Sequence, residues 1–360
     1  MIKSLEINAL KSIKKLSIKC TNLNIFAGTN SSGKSSIMQA LLIASQYITT
    51  NGQNGLNGYW LKLGDFKSVK SLYCKNDEIS IQITDDTYDE VLDLHIKDNA
   101  SMHGINISYE PYEVTKKNLY ELFSYKKNFF YIPFDRIGVQ DTFNKNLEQE
   151  SRFGKKCEYA ISYLEAQKDE VEKNSIAPEL IIDKNNKTLL AQVNYWFKDI
   201  VGATVDTESI DSQRIKVNYV IADGIKHTPI NVGSGISYLI SILIVCLASE
   251  KNSTILIENP EIHLHPKAQA KLMKFLYFIA ASGRQLFIET HSDHIFNGIR
   301  AGISTNEMDP SKIAVNFVTC NETEGSQNSV IQFGKMGNIE NPIPDLFDQF
   351  ELDINKMIGL

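Results

Sequence analysis

Residues Gly28–Ser36 read GTNSSGKSS and follow directly on the apolar run Leu23-Asn24-Ile25-Phe26-Ala27. This is the Gly-x-x-x-x-Gly-Lys-Ser pattern of a phosphate-binding loop, set between a short strand and a helical pattern at Ser35–Tyr47. The residue types follow from the chemistry. Gly28 and Gly33 let the backbone fold back so that N–H groups line a triphosphate, with Asn30, Ser32 and Ser36 in the same loop. Lys34 places a point charge on the β- and γ-phosphates, and Ser35 offers a hydroxyl oxygen to Mg²⁺. The loop alone says nucleoside triphosphate. It does not say what the energy is used for.

The rest of the chain is that of an ordinary globular protein. It has 360 residues, 42% hydrophobic and 22% charged, with a formal net charge of -6 that argues against a strongly basic nucleic-acid binder. Cys20, Cys74, Cys157, Cys246 and Cys320 are widely spaced and contain no Cys-x-x-Cys pair. That spacing fits a reducing cytoplasm better than a disulfide framework or zinc ribbon. The N-terminus lacks a signal-peptide apolar core, and the longest apolar stretch, Ile236–Ala248, is too short to span a bilayer. It reads as a buried helix, and no membrane partner is expected.

Alternation predicts strands at Ile2–Ile7, Leu16–Cys20, Glu78–Thr84 and Val91–Ile96. Helical spacing covers Asn118–Ser124 and Leu189–Ile200, and a strand pair is expected at Ile215–Ile221 and Lys226–Val232 around Asp223-Gly224. The last third alternates strand and helix (Thr254–Ile257, Lys267–Ala281, Gln285–Glu289), which implies a mostly parallel sheet flanked by helices.

A phosphate loop needs an acidic partner, and Thr254-Ile-Leu-Ile-Glu258 is an apolar strand ending in a carboxylate suited to Mg²⁺ opposite Ser35. A polar connection follows, Asn259-Pro260-Glu261-Ile262-His263-Leu264-His265-Pro266. A second strand ends in Glu289-Thr290-His291-Ser292-Asp293-His294. Upstream, Asn231-Val-Gly-Ser-Gly235 opens the apolar helix and makes a second anion-seeking helix start. A nucleotide has one γ-phosphate. Two such starts make sense when they come from different subunits.

This order of motifs resembles the ABC-type ATPases, on their overcoming-lysogenisation-defect and structural-maintenance-of-chromosomes side. It is similar in particular to a stand-alone bacterial branch of ATPases, through Tyr59-Trp-Leu-Lys-Leu-Gly-Asp-Phe66, Phe130-Tyr-Ile-Pro-Phe-Asp-Arg-Ile-Gly138, Asn297-Gly-Ile-Arg300 and Asp345-Leu-Phe-Asp-Gln349. The resemblance covers essentially the whole chain. It implies an α/β fold, an ABC-type P-loop ATPase head with a mixed, largely parallel central sheet, an antiparallel β subdomain and an α+β insertion. The implied divisions are 1–110, 111–225 (the insertion), 226–333 and a tail at 334–360.

Roles carry over by position. Lys34 and Ser35 are expected on phosphates and Mg²⁺, Glu258 as the metal-side carboxylate, Ser234 and Gly235 on the γ-phosphate held by a partner copy, and His291 as the histidine that senses it. Asp65 falls where the family's lid contacts Mg²⁺, and Arg136 reads equally as a phosphate sensor or a structural arginine. The family places a glutamate base directly after the metal-side acid. Here that residue is Asn259, whose amide takes no proton at neutral pH. Either Glu261 reaches in, Glu258 does both jobs, or hydrolysis is slow; slow hydrolysis ranks first.

The resemblance implies ATP and Mg²⁺ as ligands, a homodimer closed through an ATP sandwich, and a separately encoded effector, a nuclease or toxin, in bacterial defence or nucleic-acid surveillance. Relatives that carry a nuclease append it after the switch histidine. About seventy residues follow His291 here, without an Asp-x-Asp cluster, so the ATPase subunit is expected. The alternative is a self-contained metal-dependent nuclease or hydrolase built from Glu261, His263, His265, His291, Asp293 and His294. Lys116-Lys117, Lys126-Lys127 and Lys155-Lys156 are the candidate DNA or RNA contacts.

Overall fold

The computed structural model describes residues 1–75, 77–86, 90–98, 107–110, 117–147, 151–168, 176–347 and 349–358. Lys116 and Asp348, both singled out above, lie outside them.

The chain opens with β1 (Ile2–Leu10), β2 (Ile13–Lys19) and β3 (Leu23–Gly28), then α1 (Lys34–Thr49) and the short α2 (Phe66–Val69). Strands β4 (Glu78–Asp85), β5 (Val91–Asp98) and β6 (Ile107–Glu110) follow. Next come α3 (Lys117–Phe123), β7 (Phe129–Ile132), β8 (Thr142–Asn144), α4 (Ala160–Gln167), α5 (Leu189–Val201), β9 (Thr204–Ser209), β10 (Arg214–Val220) and β11 (Lys226–His227). The remainder is α6 (Ser234–Leu247), β12 (Thr254–Glu258), α7 (Pro266–Ala281), β13 (Gln285–Glu289), α8 (Asp293–Ser304), β14 (Ile313–Asn321), β15 (Gly325–Ile331) and α9 (Gln349–Ile358).

One 11-stranded sheet runs in the order β6-β5-β4-β1-β2-β15-β14-β3-β13-β12-β7. From β14 to β7 every pairing is parallel, and on the other side of β14 every pairing is antiparallel. The antiparallel region is therefore continuous with the parallel one. Burial explains the two sequence signatures. Strand β4 alternates half-buried and buried residues, whereas β12 and β13 are buried at all five positions.

The parallel strands feed two cores. Ile25, Ile255, Ile257, Leu286 and Ile288 pack with α4–α8, while Phe26, Leu256 and Phe287 pack with α1 and α3 on the opposite face. Strand β7, within 111–225, is the outer strand of this main sheet, and β8–β11 form a second, four-stranded sheet. The strand expected over Lys226–Val232 is cut to Lys226–His227. Pro229 supplies no N–H to a ladder, and a 3₁₀ turn at Pro229–Asn231 takes over. Among the described residues no helix is long and apolar enough to cross a membrane.

Candidate functional site: a phosphate cleft at the parallel strand ends

Strand β3 delivers the loop and α1 leaves it. Gly28 has φ 140 and Gly33 has φ 110, conformations that glycine adopts without penalty. Space demands the same residue at both places. A Cβ on Gly28 would lie 2.0 Å from the carbonyl oxygen of Val318 in β14, and one on Gly33 would lie 2.3 Å from Ser326 Oγ in β15. Helix α1 starts at Gly33 without a side-chain cap and without an acidic residue in its first turn. By contrast, Thr188, His265 and Ser292 cap α5, α7 and α8 with their side chains. The first N–H groups of α1 are thus left to face an anion, with the positive end of the helix dipole behind them.

Ser12, Asn30–Ser36, Glu289 and His291 line one cleft of about 220 Å³. Lys34 Nζ donates to the carbonyls of Gly28 (3.0 Å) and Thr29 (2.7 Å), folded back over the loop it would share with a phosphate. Burial lowers its pKa, partly offset by the charge of Glu289. Ser35 Oγ donates to Glu289 Oε1 at 2.8 Å. Burial also lowers the His291 pKa, assisted by the Lys34 charge, so the imidazole tends to neutrality.

Two carboxylates stand beside each other at the strand ends, because β12 and β13 pair in register with Glu258 opposite Glu289. Burial, then the Glu289 charge, pushes the Glu258 carboxyl up to about 7. Its Oε2 accepts from the Phe134 N–H at 3.3 Å. Burial likewise raises Glu261, whose Oε1 accepts from the His291 N–H at 2.9 Å. Asn259 sits in the left-handed region (φ 43), which asparagine tolerates better than most residues, and donates its N–H to the Glu289 carbonyl at 2.8 Å. Its Oδ1 is buried without a partner among the described residues, as are Ser32 Oγ, Glu261 Oε2 and Glu289 Oε2. Ser32 and Glu289 line the cleft, and buried polar atoms left bare there suit a polar ligand. Such a donor set suits a magnesium nucleotide, since Mg²⁺ is held by one or two carboxylates and substrate phosphates while keeping several waters.

The second helix start, α6 at Gly233–Gly235, also lacks a side-chain cap and an acid in its first turn. Gly233 and Gly235 line a different cavity of about 530 Å³, with Lys198, His263 and Lys267 on its walls. The two anion-seeking starts of one chain do not share a cleft.

A family model described as an AAA ATPase domain matches residues 45–296, well over half of the chain. The chain belongs to the AAA ATPase domain family. A second model, described as a protein of unknown function (DUF2813), matches residues 1–84. No curated protein matches the sequence. Among solved structures the chain is similar to an Smc head bound to the C-winged helix domain of ScpA. That likeness has TM-score 0.61, with 13% identity over 93% of this chain and 98% of that one. It is also similar to the Smc head domain with an extended coiled coil bound to the C-terminal domain of ScpA from Pyrococcus furiosus. Here the TM-score is 0.58, with 12% identity over 100% and 99% of the two chains. The fold is an Smc-head-like α/β fold with a large mixed sheet.

An AAA ATPase domain binds and hydrolyses ATP, usually with Mg²⁺. In this AAA ATPase the loop residues, His291 and Glu289 come together. Glu258 does not line their cleft, and the carboxylate on Ser35 is Glu289 rather than Glu258. The reason is strand order: β13 lies between β3 and β12, which sets Glu258 one strand further from the loop. Sequence reasoning assigned Glu289 no role; the strand-end position of its carboxylate was the available signal.

Arg136 resolves as structural. It is fully enclosed, and its guanidinium donates to the carbonyls of Pro133, Tyr238, Glu258 and Asn259 at 3.0–3.1 Å. It ties the connection after β12 to α6. Asp65 accepts from the Ser68 N–H at 2.8 Å and caps α2. The metal cluster needed for a self-contained nuclease does not assemble: among the described residues no three His, Cys, Asp or Glu side chains converge on one cation. His263 lies against Tyr238, and His265 Nδ1 caps α7. Of the paired lysines, Lys127 is engaged by Glu121 and Lys156 by Asp135 at 2.6 Å.

Proposed function

We propose that this AAA ATPase works as a two-copy switch. ATP with Mg²⁺ binds at Gly28, Asn30, Ser32, Gly33, Lys34, Ser35 and Ser36, and Ser234 and Gly235 of a second copy close over the γ-phosphate. Mg²⁺, when bound, would neutralise charge on the β- and γ-phosphates. The chain's own residues do the rest. Lys34 leaves the two loop carbonyls for the phosphates, the α1 N–H groups hold them, and a neutral His291 accepts a hydrogen bond from the attacking water or donates one to the γ-phosphate. The observation that carries this reading is the separation of the two uncapped glycine helix starts: one faces Lys34, Ser35 and His291, the other opens into a different basic cavity.

Hydrolysis in this scheme is slow, because Asn259, directly after Glu258, supplies no base. Slow hydrolysis suits a timer: the ATP-bound pair persists and its opening controls a partner. By resemblance the partner is a separately encoded nuclease or toxin acting in nucleic-acid surveillance or bacterial defence, with DNA or RNA met on segment 111–225. Light scattering tests the core of the proposal. Mass should double on adding ATP and Mg²⁺ to the purified chain and stay single for Lys34→Ala. An unchanged mass in saturating ATP overturns the switch.

A further inference from the structure

The cavity beside the α6 start joins an apolar wall to a basic rim. Ile236, Leu264 and Ala268 face it alongside Lys198 and Lys267, over a volume of about 530 Å³. Its acid, Asp199, is engaged by Lys271 at 2.9 Å. Lys198 and Lys267 are exposed, and neither has an ion-pair partner among the described residues. The cavity shares no lining residue with the nucleotide cleft and has room for several side chains.

The C-terminal stretch has the complementary character. From Glu340 to Leu360 the sequence holds the acids Glu340, Asp345, Asp348, Glu351 and Asp353 against the single base Lys356. Within α9, Ile354, Met357 and Ile358 are 38%, 81% and 64% exposed. At spacings of three and four they share one helix face. Large apolar side chains bare on one face mark a surface for burial against another molecule. The root of α9 is fixed: the Phe347 ring packs on Phe296 at 5.3 Å, in the first turn of α8, and α8 starts two residues after His291. Helix α9 therefore leaves the molecule beside the start of α8, on the side that a second copy covers in the proposed switch.

We propose that α9 of one copy seats in the basic cavity of the other. Ile354, Met357 and Ile358 enter against Ile236, Leu264 and Ala268, and the acidic stretch meets Lys198 and Lys267. Within one chain the two features do not meet, since the apolar trio stays exposed. A two-fold pair satisfies both, because each copy offers one helix and one cavity. Ten residues make α9 about 15 Å long, the length of a short element crossing between facing subunits. Apolar burial supplies the affinity, and the opposite charges orient the helix and exclude wrong partners. The inference rests on the reading of the protein as a two-copy switch and names the contact, other than nucleotide, that holds the copies together.

The test is sedimentation of the full-length chain in saturating ATP and Mg²⁺, with two double variants. One carries Met357→Asp and Ile358→Asp, the other Lys198→Glu and Lys267→Glu; all four positions are exposed, so the fold is spared. Each variant alone should pair about tenfold or more weakly than the wild type, with the nucleotide affinity of the single copy unchanged. Mixing the two is decisive. The mixed pair regains one intact seat, the second variant's helix in the first variant's cavity, so mixed pairs should form where neither variant pairs with itself. Variants that pair as tightly as the wild type overturn the inference. Weakened pairing with no recovery on mixing overturns it too, and points to a helix that folds onto its own chain. In both cases the two-copy switch stands, because the wild type still pairs. A wild type that stays single in ATP and Mg²⁺ sinks the switch itself, and the seat with it.

Discussion

Helices α1 and α6 begin alike, each on glycine, uncapped and without an acid in the first turn, yet their surroundings differ. The start of α1 is crowded. Glu289, His291 and Lys34 face it, and β14 and β15 press on its glycines. The start of α6 is open on one side only: nothing lies within 4 Å of a Cβ placed on Gly233, whereas one on Gly235 would meet the His263 carbonyl at 2.3 Å, and the nearby cavity is walled by lysines and histidines with Asp199 as its acid. The lesson is that a helix N-terminus supplies only half of an anion site. In the proposed switch, what surrounds each start decides whether it grips the triphosphate or complements one presented by another copy.

The largest expected effect tests that division of labour. Lys34→Ala should weaken nucleotide affinity about 100-fold or more in a fluorescence titration, the scale of losing a charge-assisted phosphate contact in an enclosed site. Ser234→Arg should leave single-copy affinity within about twofold but abolish ATP-dependent doubling of mass. Equal losses of affinity in the two variants would break the comparison.

Glycine tolerance separates Gly28 from Gly233 next. Gly28→Ala should destabilise the fold by about 2–4 kcal/mol, because the methyl meets a strand carbonyl and φ is unfavourable. Gly233→Ala, at φ -59 and in open space, should stay within about 1 kcal/mol. Thermal or denaturant melts of both read this directly. A smaller effect concerns the missing base. Asn259→Asp keeps a residue suited to left-handed φ and supplies a proton acceptor, so turnover should rise about tenfold, below the roughly 100-fold at the foot of the range for a well-placed general base. Unchanged turnover would mean that another step limits the cycle. Smallest of all, Asp65→Ala should cost about 0.5–1 kcal/mol through the lost α2 cap, with ATP turnover unaffected. A lost Mg²⁺ response in that variant would restore Asp65 to the metal.

Much of this was legible in the sequence, for a physical reason. The phosphate loop is a local object: strand, turn and helix lie within Leu23–Thr49, and each leaves its own periodicity. The buried strands at Thr254–Glu258 and Gln285–Glu289 were readable as unbroken apolar runs. What escaped were contacts set by strand order. Ser35 and Glu289 are 254 residues apart, and nothing in either neighbourhood announces that β13 rather than β12 lies beside β3. The Arg136 clamp escaped likewise, since its acceptors are backbone carbonyls that leave no side-chain signature. Strands β14 and β15 were missed as well, although they decide why Gly28 and Gly33 must be glycine.

The placement of β3 between β13 and β14 also has a consequence for how the chain comes to exist. The loop sequence leaves the ribosome well before the strands on either side of it, Gln285–Glu289 and Ile313–Asn321. At about 5–20 residues per second, roughly 15–60 s separate the synthesis of the loop from that of its walls. Through that interval the nascent polypeptide carries the motif without its cleft, so nucleotide capture becomes a late checkpoint of folding. Pairings so distant in sequence also slow the search for the native state. On the proposed nucleotide site, ATP would report that β13 and β14 have docked beside β3.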